Sequence, residues 1–106
     1  HVAGLGLPVA ASDRIENFPT AVSQALVAEL SNDANARAGF FEPLGAVATT
    51  DLTDGLRVML ESGDIVHLRP SGNAPEMRVY SEAATEALAH EVIARAIARI
   101  RQHTAT

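Results

Sequence analysis

The chain has no cysteine, so a disulfide framework, a thiolate nucleophile and a thiolate metal site are all closed to it. That absence agrees with a cytoplasmic protein. Lysine is missing too: Lys and Arg together number 8, all of them arginine, against 13 acids, for a net charge of −5. A sequence-independent grip on nucleic acid needs excess basic charge along one face, which this balance disfavours. Aromatics make up only 4% of the residues, too few for a stacking platform along a single strand. No apolar run approaches the roughly 18 residues of a membrane helix, and no basic segment leads into an apolar core as in a signal peptide. The expectation is a soluble chain with no nucleic-acid or membrane partner. The all-arginine basic set matches the abundance of alanine as compositional bias.

What is present is ordinary for a folded domain: 47% hydrophobic and 20% charged residues over a length of 106. That length suits one domain, residues 1–106, with a modest single core. No internal repeat or low-complexity tract divides it. His1 to Gly4 resemble a cut edge, with His1 in place of an initiator methionine suggesting an engineered boundary or tag remnant.

Periodicity and turn residues supply the elements. Val22, Leu26 and Leu30 recur every four positions after Asn17, Pro19 and Thr20, predicting a first helix over Thr20 to Leu30. Ser31-Asn32-Asp33 and Asn35 then open a loop that runs through Gly39 and Pro43 to Gly45. Four short β-favouring runs follow: Ala46–Thr50, Leu56–Leu60, Ile65–Leu68 and Met77–Ser81. Asp54-Gly55 and Ser62-Gly63 provide the positive φ of tight hairpins, so these strands form an antiparallel meander. In the last helix, capped by Thr85, Leu88, Val92, Ile93, Ala96, Ile97 and Ile100 share one side. Glu86 in its first turn and Arg99 and Arg101 in its last complement the helix dipole. The predicted fold is α+β: two layers, a mainly antiparallel sheet of about four to five strands with two helices on one face. Phe40, Phe41 and Tyr80 are expected in core or hairpin packing.

The loop Arg69-Pro70-Ser71-Gly72-Asn73-Ala74-Pro75, followed by Arg78, carries more than a turn requires. Gly72 offers positive φ and close backbone approach, and the prolines restrain the ends. Backbone N–H groups, the Ser71 hydroxyl and the Asn73 amide can surround an anion. Arg69 and Arg78, on paired strands, bring forked guanidinium donors, and the set suits a phosphate. Turn chemistry alone also explains Gly72, Asn73 and the prolines, with the arginines pairing Glu76 or Glu82 on the surface.

The stretch from Asp54-Gly55-Leu56-Arg57-Val58 through His67 to Tyr80 resembles the C-terminal domain of the α-D-phosphohexomutases, which include phosphomannomutases and phosphoglucomutases. The family's hallmark is an Arg-Pro-Ser-Gly-Thr-Glu-Pro loop with an arginine three residues further on. Ala11-Ser12-Asp13-Arg14-Ile15 and Asn17-Phe18-Pro19-Thr20 are similar to the lead-in of phosphomannomutase-like members, so the resemblance runs from about Leu7 to Arg101. Asn73 stands where the family usually has Thr, and Ala74 where it usually has Glu.

The resemblance implies a fragment of an intramolecular phosphotransferase that interconverts hexose 1-phosphates and 6-phosphates through a bisphosphorylated intermediate. It implies mannose or glucose phosphates as substrate, the remaining domains of a parent enzyme as partners, and Mg2+ in that full-length enzyme with no cofactor in this domain. The implied substrate-phosphate-binding residues are Arg69, Ser71, Gly72, Asn73 and Arg78. No catalytic residue is expected here: Ser71 lacks a Ser-His-Asp context, the acids have no metal-ligand spacing, and His67, His90 and His103 show no zinc-like pairing. The isolated domain is expected to be inactive. The competing class is a noncatalytic α+β regulatory or protein-interaction module whose loop is only a turn.

Overall fold

A computed structural model describes residues 7–104, so the edge formed by His1 to Gly4 lies outside the described residues. The elements are β1 (Val9–Ile15), α1 (Thr20–Asn32), α2 (Ala34–Phe41), β2 (Val47–Asp51), β3 (Leu56–Leu60), β4 (Ile65–Pro70), β5 (Met77–Ala83) and α3 (Glu86–Thr104). The sheet order is β1-β5-β4-β3-β2, antiparallel at every pairing. Helix α1 packs on β4 and β3, α3 on β5 and β1, and α2 bridges α1 and α3. This is the expected two-layer α+β fold.

Alternation along each strand decides which face the helices cover. Leu56, Val58 and Leu60 on β3, Val66 and Leu68 on β4, and Met77 and Val79 on β5 are buried in one cluster with Leu26, Leu30, Ile93, Ala96 and Ile100. Their neighbours Arg57, His67, Arg69, Arg78 and Tyr80 point to the uncovered face. The hairpins turn where glycine permits: Gly55 has φ 71° and Gly63 φ 97°. At Gly55 a Cβ would also run into the Leu68 carbonyl oxygen, so only glycine fits there.

Several expectations need correction. The segment predicted as loop contains α2, capped by Asp33, whose Oδ1 accepts from Asn35 N and Ala36 N at 3.0 Å each. Asn35 and Gly39 are weak helix formers; burial of Phe40 and Phe41, ring centroids 4.9 Å apart, outweighs that propensity. Strand β1 lies outside the expected strands, since Ala-Ala-Ser-Asp carries little β preference; pairing with β5 supplies what propensity lacks. Asn17 is not a helix opener: it has φ 56°, and Pro19 is the N-cap of α1 without a side-chain bond. Val22 is 38% exposed while Ser23 is buried, donating its hydroxyl to Thr20 O at 3.0 Å. Leu88, assigned to the core side of the last helix, is 43% exposed, and Ala89 takes that place. Tyr80, expected in core or hairpin packing, takes the hairpin: half-buried on the uncovered face, it packs beside its β4 partner His67, ring centroids 5.5 Å apart. The Thr85 cap is present, its Oγ1 accepting from Leu88 N at 3.1 Å.

The corrected faces can be tested by chemical denaturation of the purified chain. Phe41→Ala should lower stability by about 3–5 kcal/mol, whereas Leu88→Ala should change it by less than about 0.5 kcal/mol. A large loss at Leu88 would restore it to the core.

Candidate anion site at the β4–β5 loop

Pairing of β4 with β5 sets Arg69 opposite Arg78 and Pro70 opposite Met77, directly below the loop. The loop is closed at its base by Ser71 N donating to Glu76 O at 3.1 Å, and inside it Glu76 N donates to Ala74 O at 2.8 Å. Its far stem is tied to the segment after β1 by Phe18 N donating to Pro75 O at 2.7 Å. Buried Ser71 organises the turn itself, its Oγ accepting from Asn73 N and Ala74 N at 3.3 Å each.

Arg69, Pro70, Ser71, Gly72, Asn73 and Arg78 together line a hollow of 120 Å³. All five residues singled out in the sequence are therefore brought to one place. Two details differ from the expected loop. Gly72 is not among the glycines with positive φ, because six residues share the reversal and none needs the left-handed region there. A Cβ at Gly72 meets nothing within 4 Å, so the fold itself would accept a side chain at that point. Of the backbone N–H groups expected to face an anion, those of Asn73 and Ala74 are instead turned toward Ser71 Oγ, at the long distance of 3.3 Å.

The arginines also have protein partners, as the turn-only reading anticipates. Arg69 Nε lies 3.4 Å from Asp54 Oδ1, and Arg78 Nε lies 3.4 Å from Glu76 Oε2. Glu82 pairs instead with Arg57, at 3.6 Å. Both ion pairs at the loop are made at Nε. The Tyr80 hydroxyl first, and then Glu76, hold the Arg78 guanidinium in its charged form, above the ordinary arginine value.

Sequence reasoning missed Arg14. Strand register makes it the cross-strand partner of Arg78, so Arg14, Arg78 and Arg69 form one row across β1, β5 and β4. No local signal marks Arg14, since its place depends on pairing between strands far apart in the chain. Among the described residues no group of three or more His, Asp or Glu side chains stands together as a metal site. Nor is any described helix long and apolar enough to cross a membrane.

Residues 9–99 match the family described as phosphoglucomutase/phosphomannomutase, C-terminal domain. The chain is 49% identical over 92 residues to a phosphomannomutase of Sinorhizobium fredii (strain NBRC 101917 / NGR234), a match covering 87% of this chain and 19% of that protein. It is 42% identical over 52 residues to a phosphomannomutase of Salmonella muenchen, covering 49% of this chain and 11% of that one. The chain thus spans a fifth or less of the curated relatives it matches.

Titration of the chain with inorganic phosphate should shift the amides of Ser71, Gly72 and Asn73 first. Two charge-assisted contacts at about 1.5–3 kcal/mol each, against an association cost of at least about 4 kcal/mol, put the dissociation constant in the millimolar range. Added salt should weaken it, because the site is open. Gly72→Ala should leave stability within about 0.5 kcal/mol yet weaken the phosphate response. Shifts confined to another surface would move the site elsewhere.

Proposed function

For a chain that belongs to the phosphoglucomutase/phosphomannomutase family and forms its C-terminal domain, we propose the role of substrate-phosphate anchor in a larger enzyme that interconverts hexose 1-phosphates and 6-phosphates. The observation that carries this reading is the convergence of Arg69 and Arg78, from facing strands, on a hollow rimmed by Ser71, Gly72 and Asn73. Two planar forked cations, a hydroxyl, an amide and unencumbered backbone at Gly72 match the oxygens of a phosphate dianion.

In this reading a phosphoserine on another domain exchanges phosphate with the sugar, and this domain holds the phosphate that is not reacting. The bisphosphorylated intermediate must turn around between the two half-reactions. Its distal anchor therefore has to recognise phosphate and ignore the sugar carbon that bears it. None of the five residues needs a sugar hydroxyl for its contact, so the grip serves both orientations. Mannose and glucose phosphates are the proposed substrates, the remaining domains of the parent enzyme the proposed partners, and the cytoplasm the proposed location. Magnesium, implied for the full-length enzyme, finds no ligand set among the described residues, and no step here is assigned to it.

Phosphoryl transfer needs a nucleophile and groups that stabilise the transferring phosphoryl. The anchor contributes orientation: misplacing one phosphate displaces the reacting one at the other end of a rigid ring. The purified 106-residue chain should accordingly show no interconversion of hexose 1-phosphate and 6-phosphate, and measurable turnover would refute this division of labour.

Arg69→Lys in the multidomain enzyme keeps the charge but loses the fork that can hold two oxygens at once. Loss of one charge-assisted bond at about 1.5–3 kcal/mol corresponds to a fall in kcat/KM of about tenfold to a hundredfold. The loss should be equal for mannose and glucose phosphates and should appear in both KM and kcat. Steady-state kinetics within about twofold of wild type, under about 0.5 kcal/mol, would mean that Arg69 is not a bidentate anchor. If phosphate leaves the loop amides unmoved while a protein or peptide partner shifts them, the noncatalytic interaction module becomes the better reading.

A further inference from the structure

Arg14 and Arg78 are cross-strand partners on the uncovered face, an arrangement in which like charges repel. Glu76 offsets that repulsion. Its Oε2 lies 3.4 Å from Arg78 Nε and its Oε1 3.8 Å from Arg14 Nε, one carboxylate oxygen for each arginine. The Glu76 side chain is only 14% exposed, against 46% for Arg78 and 59% for Arg14, so it is the ordered member of the three. Its backbone is fixed on both sides, its N–H to Ala74 O and its C=O to Ser71 N. The loop's other acid position is empty of charge, because Ala74 stands there.

We propose that Glu76 is a positioning residue of the phosphate site: it holds the Arg78 guanidinium at the mouth of the loop, and Arg14 steadies Glu76 from the neighbouring strand. This rests on the reading of the loop as a phosphate anchor. A free arginine on an open sheet face must give up rotamer freedom when it meets a ligand. With its Nε edge already engaged by a stiff carboxylate, Arg78 meets the anion with its terminal nitrogens and surrenders less. Arg14 is a contributor to the same site that approaches no ligand itself, and its own Nε is further engaged by Glu16 Oε2 at 3.2 Å.

Two roles for Glu76 predict opposite signs. A carboxylate acting only through its charge repels phosphate, so removing it should tighten binding. A carboxylate that positions Arg78 should, when removed, weaken binding despite the more favourable net charge. The experiment is titration of the wild-type chain, Glu76→Gln, Glu76→Asp, Arg78→Ala and Glu76→Gln/Arg78→Ala with inorganic phosphate at fixed pH and ionic strength, followed by the amides of Ser71 to Asn73. Glu76→Gln should bind about threefold to tenfold more weakly, the scale of immobilising one rotamer-rich side chain. Glu76→Asp, which keeps the charge but falls short of both arginines, should also bind more weakly. In the Arg78→Ala background Glu76→Gln should no longer weaken binding, since there is nothing left to position. Unchanged or tighter binding by Glu76→Gln, or wild-type binding by Glu76→Asp, would overturn the inference while leaving the phosphate site intact. Failure of the wild-type chain to respond at these amides would instead overturn the site itself.

Discussion

Everything at the candidate site depends on the register between β4 and β5. Leu68, Val79 and Met77 are buried on the helix-covered face, and a shift of one residue would turn all of them to solvent and drive Arg69 and Arg78 into the core. Core burial therefore fixes the arginines at the uncovered face more firmly than any interaction they make themselves. The same register brings Pro70 against Met77 and leaves six residues to join the strands, so the loop stands directly above the paired arginines.

That placement has an electrostatic consequence. Three arginines in one row across β1, β5 and β4 lie on a domain whose net charge is −5. The acids that compensate them locally are few and specific: Asp54 for Arg69, Glu76 for Arg78, and Glu16 with Glu76 for Arg14. Exposed pairs of this kind contribute little to stability. Their importance lies in where they hold the guanidinium groups, which is why a positioning role for Glu76 follows from its low exposure and its tethered backbone more than from its charge.

The meander from β2 to β5 was legible because each of its cues is local. Leu56, Val58 and Leu60 alternate with polar neighbours, and Gly55 and Gly63 mark turns at which only positive φ closes the hairpin. Helices α1 and α3 were legible in existence and less so in facing: a four-residue spacing put Val22 and Leu88 inward, whereas both are exposed. Strand β1 and helix α2 were illegible for one reason. Neither has the propensity to form alone, and each is held by contacts with segments distant in the chain, β1 by β5 and α2 by α1 and α3.

The amino-acid sequence by itself determined the class of fold, the antiparallel hairpins and the five residues around the loop, since each rests on residue type and near-neighbour spacing. It also carried the family resemblance, in the Arg-Pro-Ser-Gly motif and its following arginine. Tertiary structure alone decided that Gly72 takes an ordinary φ, that Ser71 Oγ is occupied with its own turn, that Tyr80 faces outward, and that Arg14 joins the arginine row through Glu76. These depend on how strands far apart in the chain are paired side by side, and strand pairing is set by the shared core, a property of the whole domain that no local stretch of residues contains.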